Sequence, residues 1–511
     1  MSFSDGAWYA TWAFKVSERT AGREKFGDTE ISGNVYVTTE YPSCPYCEAK
    51  GFFQCSECGK TTCWDGEDET VCEWCGNAAE TSAEESFESL SGGDRIPLEL
   101  GGAAKITAVL GSGGQGTVYR AEFAGKEYAL KMYFPSKLKR PELFRDNLAR
   151  LTEEGVADEA FLMPKLLTAK YDGSFGFLMG LIPEDYKPFS DILNARVRLS
   201  GLYSVVNSAI RITSAFRTLH NSGKSYQDLN DGGFFIRPSD GDVLICDCDN
   251  IAPYGEHLGI AGKPGYMAPE IVRGEKAPDK LTDRYSLAVV LFRLLLRGDP
   301  LEGSKVLKSV CLTEEAERRH YGFEPMFVYD PDNDSNRPVR GVHNNIIKFW
   351  RIMPDYIRDA FTFSFTVGIE QPQKRLIEKQ WLDLLIRLRG DITACSCGSQ
   401  SFLSTSEADA EGKIICPCGQ HYPKPITLNG ARQSILLFDG AKLFDDRLSV
   451  TAEVVRNKNN PGLWGLKNLS DAEWRCTLPN GTEKTIPREG AAPIFVGTSV
   501  IMGESKFKME D

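Results

Sequence analysis

Apolar positions fall into short blocks along this chain, and the spacing of those blocks changes between its middle and its end. Gly111-Ser-Gly-Gly-Gln-Gly116-Thr-Val118 predicts a strand-turn-strand, and Tyr128-Ala-Leu-Lys131 predicts the strand that follows. A helical stretch ends at Leu219-His-Asn-Ser-Gly223, and Val243-Leu-Ile245 is an apolar strand running into Cys-Asp-Cys-Asp249. The longest apolar run, 287–296, contains Arg293 and is far shorter than the ~20 residues of a membrane span. From 425 onward the apolar stretches 434–438, 450–455 and 494–496 alternate with the turn signals Asp-Gly, Asn-Asn-Pro-Gly and Pro-Asn-Gly. Short strands at that spacing predict a β-sandwich. Residues 79–94 hold five acids and no base, with several serines, and predict a flexible linker. Residues 1–40 are aromatic-rich and predict no particular element, and no internal repeat stands out.

Composition places this pattern in a multidomain protein. At 511 residues, 41% hydrophobic and 25% charged, the chain has room for several globular domains. A net charge of −12 argues against nucleic-acid partners, whose phosphates need clustered Lys and Arg. The first residues carry no signal-peptide pattern, so the expected compartment is the cytoplasm, with no membrane partner. Of fifteen cysteines, eleven lie in two local clusters, which in a reducing compartment reads as metal binding. The other four (Cys246, Cys248, Cys311 and Cys476) are expected to behave as small buried hydrophobes.

The candidate chemistry centres on two acids. Asp228 sits in Ser225-Tyr-Gln-Asp-Leu-Asn230, a loop after the helical stretch, and Asp247 ends the apolar strand. With the glycine-rich turn and Lys131 they make four ordered motifs that resemble the protein-kinase signature set. The resemblance covers residues 101–390 and implies a multidomain α+β protein. Its centre would be a bilobal protein kinase-like fold, flanked by zinc-ribbon modules and a C-terminal β-sandwich. It implies ATP and Mg²⁺ as cofactors. Gly111, Gly113 and Gly116 would let the hairpin backbone approach the phosphates, no Cβ intruding. Val118 would cover the adenine, Lys131 would hold the α- and β-phosphates, and Met179 would be the gatekeeper, with 180–183 as hinge. Asp228 would orient the acceptor hydroxyl and take its proton, and Asp247 would hold the metal. Gly265-Tyr-Met-Ala-Pro-Glu270 resembles the end of an activation segment. Asp283 would open the helix that braces the catalytic loop, and Arg375 would pair with Glu270.

Several positions depart from the family pattern. The catalytic loop reads Tyr226-Gln227-Asp228, without the arginine that pairs with an activation-segment phosphate. Consistently, 247–270 contains no serine or threonine, only Tyr254 and Tyr266. Gly233 stands where a second magnesium ligand is usual, and Asp249 stands where a glycine is usual. Asp249 reads first as a solvated acid, and second as a compensating magnesium ligand. Asn230 occupies the phosphate-contacting position, and Lys263 is expected to supply the missing cation from across the cleft. For the acidic partner of Lys131 the best-aligned position is Asn147, with Asp146 and Glu142 nearby.

The cysteine clusters predict Zn²⁺. Cys44, Cys47, Cys55, Cys58, Cys63, Cys72 and Cys75 allow a ribbon site over 41–78. Its ligands would be Cys44, Cys47, Cys72 and Cys75, or a set that uses Cys55 and Cys58. Cys395, Cys397, Cys416 and Cys418 predict a second, structural site over 391–424. Residues 429–505 resemble a degenerate forkhead-associated domain, in which Asn468-Leu-Ser470 falls at the family's asparagine turn. The order of modules resembles bacterial Ser/Thr kinases of the tellurite-resistance and stress-response type. That resemblance implies protein substrates, and as partners a von Willebrand A protein and a metal-dependent protein phosphatase. Two other readings stand beside the enzyme: an ATP-binding scaffold, and an adaptor that binds no nucleotide.

Overall fold

The computed structural model describes residues 2–4, 7–10, 34–37, 41, 43–45, 47–54, 61–64, 71–72, 75–76 and 90–511, apart from 114, 135–137, 139, 260–261, 309–313, 432, 446–448, 458 and 461. The linker around 79–89, with Cys55, Cys58 and Cys311, lies outside the described residues. The chain divides into two compact units, 1–89 with 311–316, and the remainder.

In the first unit, Ser2–Ser4 and Ala7–Ala10 pair antiparallel, and Asn34–Val37 adds a parallel strand. A separate hairpin joins Gly51–Gln54 to Thr61–Trp64 and sets Phe52 opposite Cys63.

The second unit opens with a six-stranded antiparallel sheet. Its spatial order is Leu166–Leu167, Gly176–Met179, Lys126–Tyr133, Gly116–Phe123, Ala103–Gly113 and Arg95–Pro97. The glycine turn closes its central hairpin, as the sequence pattern predicts. Gly116 is fixed by packing as well: a Cβ there would lie 2.1 Å from the Met132 carbonyl oxygen. Helix Pro141–Glu154 starts on a proline, whose missing N–H costs nothing in the first turn. It buries Phe144, Asn147, Leu148 and Leu151, a spacing that puts one stripe toward the sheet.

Below the sheet lies a helical lobe. Helix Leu202–Asn221 and helix Lys280–Leu296 form its centre, the second buried on nearly every face. Asp279 starts the latter by accepting from the Leu281 and Thr282 N–H groups at 2.8 and 3.0 Å, while the Thr282 hydroxyl bonds back to the Asp279 backbone. Helix Glu378–Gly390 lies across Leu202–Asn221. Two short hairpins follow, Ile392–Ala394 with Gln400–Phe402 and Ile414–Ile415 with His421–Tyr422.

The last region forms a six-stranded and a four-stranded sheet, antiparallel throughout. Buried residues of both sheets (Leu428, Leu437, Leu466, Trp474, Val500) join one hydrophobic cluster with Trp381, Leu385 and Leu388 of the helical lobe. Tyr203 seals the junction. Its ring lies against Phe438 and Phe444, its hydroxyl donates to the Lys442 carbonyl at 2.9 Å, and Arg389 stacks on Phe444. The strand-rich end is therefore welded to the helical lobe.

Candidate active site

The catalytic loop hangs from one carboxylate. Asp283, in the first turn of Lys280–Leu296, accepts the Tyr226 N–H at 2.7 Å and the Gln227 N–H at 3.2 Å. His220 bridges Asp283 at 3.1 Å and Glu378 at 2.9 Å. Burial works against its charge, but the hydrogen bonds it donates to both acids outweigh it and raise the imidazole to about 9. Gln227 has φ of 69°, a left-handed backbone that a non-glycine residue rarely adopts. Its amide donates to the Glu256 carbonyl at 2.7 Å.

On that frame, Asn230 donates to the Asp228 carboxylate at 2.9 Å and closes its own turn by accepting from the Gly232 N–H at 2.8 Å. Burial raises Asp228 to about 6, Asp247 adding to it, while bonds from Asn230 and the Lys263 backbone N–H pull the other way. The Lys263 ammonium lies 2.6 Å from Asp231. Asn230 thus meets Asp228 by its side chain and Lys263 by its backbone N–H, while the Lys263 ammonium, expected near the transferred phosphate, is held by Asp231.

Across the cleft, Lys131 pairs with Phe177 on the adjacent strand, and Met179 ends that strand beside Ala129. The Lys131 ammonium reaches Asp247 at 3.2 Å and Asp249 at 2.7 Å. Asp247 is half-exposed and Asp249 fully buried, at 45% and 0% side-chain exposure. The expectation of a solvated acid at 249 is corrected: the Tyr133 hydroxyl and Lys131 both donate to the same oxygen of Asp249, and that pairing holds the charge inside. Two of the helix positions weighed as partners are engaged elsewhere. Asn147 donates to the Ile251 carbonyl at 2.7 Å, and Glu142 pairs with Lys170 at the surface.

Gly233 also has a physical reason. The Tyr226 hydroxyl donates to the Cys246 carbonyl and would stand 2.9 Å from a Cβ at 233, so tyrosine at 226 leaves no room there for asparagine. The activation segment is tied by unmodified side chains: Arg150 clamps Glu256 with two bonds of 2.9 and 2.7 Å, next to the Gln227 contact. At its far end Arg375 grips Glu270 at 2.7 and 2.9 Å, as the sequence pairing anticipates.

The Lys131 ammonium, the half-exposed Asp247 carboxylate and, within electrostatic reach of Asp247, the Asp228 carboxylate on its braced loop thus lie together. Residues 104–349 match the protein kinase domain family. That match takes in 246 of the 511 residues and marks a protein kinase fold in that part of the chain. Residues 13–93 match the TerY-C metal binding domain, which reaches well before residue 41 into the aromatic-rich start. The DNA damage-responsive serine/threonine-protein kinase RqkA of Deinococcus radiodurans is 30% identical over 217 residues, 40% of this chain and 31% of that protein. The Arabidopsis thaliana kinase AtPK1/AtPK6 is 35% identical over 97 residues, 18% of this chain and 20% of that protein. The match therefore spans under a third of either relative. Among solved structures, the kinase domain of Mycobacterium tuberculosis PknI aligns at 20% identity and TM-score 0.40, over 58% of this chain and 98% of the other.

Both cysteine clusters converge. The sulfurs of Cys395, Cys397, Cys416 and Cys418 all lie within 4.8 Å of one another, with Cys395–Cys418 at 3.9 Å and Cys397–Cys416 at 3.7 Å. A tetrahedron with Zn–S bonds of ~2.3 Å has edges of ~3.8 Å, whereas a disulfide is ~2.0 Å. The four thiols are free and fit zinc. In the first unit the sulfurs of Cys44, Cys47 and Cys63 gather within the same limit. Among the described residues the third thiol is thus Cys63, delivered by the hairpin strand Thr61–Trp64, while Cys72 lies 3.5 Å from the Thr62 hydroxyl.

Proposed function

We propose that this chain is an ATP-dependent protein Ser/Thr kinase of the cytoplasm. The observation that carries the reading is the convergence of Lys131, Asp247 and Asp228 on one cleft, with Asp228 held by Asn230 on a loop hung from Asp283. The open glycine hairpin and Lys131 would bind the nucleotide phosphates. Asp228, ionised at neutral pH, would accept the proton of a serine or threonine hydroxyl and aim its oxygen. Asp247 would hold magnesium, which when bound neutralises phosphate charge. Lys263, bordering Asp228, would face the transferred phosphate, so Lys263→Ala should lose transfer and keep nucleotide binding.

Zinc would be structural at both cysteine clusters. The TerY-C match supports the tellurite-resistance-type partners, a von Willebrand A protein and a metal-dependent phosphatase. The strand-rich end would serve as a forkhead-associated-like docking module. Its support is Asn468, buried and holding Ser470 at 2.9 Å.

The test is intact mass of the protein after incubation with magnesium-ATP, beside Asp228→Asn. Phosphate gained by the wild type and absent in the variant establishes transfer. A clear ATP-dependent thermal shift without phosphate gain, with manganese also tried, establishes the scaffold reading instead. That alternative draws its support from Gly233, which offers no second magnesium ligand.

A further inference from the structure

We propose that Asp249 is the positioning residue for Lys131, and that it carries on the magnesium loop the acidic partner for which helix Pro141–Glu154 supplies no carboxylate. The inference rests on the nucleotide-binding part of the reading above. Asp247 adopts a left-handed backbone (φ 51°, ψ 34°) and opens the 3-10 turn Cys248–Asn250. That turn presents two carboxylates, two residues apart, to one ammonium. The nearer is the buried one: Lys131 lies 2.7 Å from Asp249 and 3.2 Å from Asp247.

The geometry separates their tasks. One oxygen of Asp249 accepts from both Lys131 and Tyr133, and the other is enclosed by protein with no partner. A carboxylate so enclosed is placed to hold an ammonium rather than to ligate a hydrated cation. Asp247, half-exposed, keeps an open side toward the cleft. Asp249 thereby takes the shorter of the two Lys131 contacts, and the open side of Asp247 is left to the metal.

The helix side agrees. Asn147, the best-aligned helix position, gives its amide to the Ile251 carbonyl and its oxygen to Arg150. It anchors the loop that bears Asp249 without touching the ion pair by a charge. Lys131's partner and the metal acid therefore sit on one turn of chain, and no swing of the helix is needed to assemble the pair.

The test is a double-mutant cycle on nucleotide affinity, read with a fluorescent ATP analogue and magnesium. It uses the full chain as wild type, Asp249→Asn, Lys131→Met and the double variant. Each single variant is expected to bind ~10-fold more weakly, and the double variant to lie within ~2-fold of Lys131→Met, because the two groups act as one. Magnesium titration adds a readout that a structural role would leave unmoved. With Asp249 neutral, Lys131 closes on Asp247, and the half-saturating magnesium concentration should rise at least ~3-fold. Asp249→Gly, which leaves no amide to mimic the carboxylate, should behave as Asp249→Asn does. Multiplicative losses of ~100-fold in the double variant, or wild-type affinity and magnesium dependence in Asp249→Asn, overturn the proposal. A wild type that binds no nucleotide overturns this proposal together with the kinase reading. Coupled binding without phosphate transfer overturns the kinase reading alone.

Discussion

Removing the amide of Asn230 should move the acid limb of the pH–rate profile. Asp228 stands at about 6 because burial and the neighbouring Asp247 raise it, while the Asn230 amide at 2.9 Å and the Lys263 N–H hold it down. A hydrogen bond to a charged acceptor is worth ~1.5–3 kcal/mol, and ~1.4 kcal/mol corresponds to one pH unit. Water at the partly exposed carboxyl returns part of that, leaving an upward shift of about one unit in Asn230→Ala. The assay is kcat/KM for ATP from pH 5 to 8, which reports groups of the free enzyme. The wild type should lose activity through about pH 6 and the variant through about pH 7, so they differ ~5-fold at pH 6 and less than ~2-fold at pH 8. A limb that stays near 6 in the variant would refute the reasoning, as would a wild type still fully active at pH 5. Stability carries the opposite sign. Asp228 titrates higher folded than unfolded, so its favourable contribution is complete below about pH 4 and is lost as pH rises through about 6. Asp228→Asn should accordingly be inactive and at least as stable as wild type at pH 7.5.

Four further outcomes are expected. Arg375→Met strands Glu270 in the interior and should cost about 3–5 kcal/mol, seen as a Tm about 5 °C lower by calorimetry. Gly233→Ala should cost about 1–3 kcal/mol by crowding the Tyr226 hydroxyl, and Tyr226→Phe should relieve most of that in the double variant, as denaturant unfolding would show. Glu256→Gln should speed proteolysis of the activation segment and lower kcat, yet leave Tm within about 1 °C, since the Arg150 pair is half-exposed. Cys416→Ser with Cys418→Ser should lower the zinc content by about one ion per chain in elemental analysis.

Motifs that act through their own backbone were legible in the sequence. The glycine hairpin and the Asp228 loop are recognisable because each needs particular residues at short, ordered spacings, and the Glu270–Arg375 pairing, 105 positions apart, because both partners resemble family motifs. What escaped is what depends on distant chain. Nothing within a few residues of Asp249 says that Lys131 and Tyr133, more than a hundred positions earlier, will enclose it. Tyr226 and Gly233 look like two separate losses until the hydroxyl of one is seen in the space of the other's missing side chain. Cys63 has no second cysteine within three positions and so carries no knuckle signal, yet a strand register brings it to Cys44 and Cys47. Turn signals read the terminal stretches as short strands, which they are, but they could not show that their core continues into the helical lobe.

Helix Leu202–Asn221 gives that continuity a mechanical meaning. Its twenty residues make a rod of ~30 Å. Tyr203 at one end is clasped by the terminal sheets, and His220 at the other holds the aspartate from which the catalytic loop hangs. The two regions are thus loaded on opposite ends of one lever. A substitution that loosened the sheets around Tyr203 would reach the catalytic loop through rigid helix rather than through a tether.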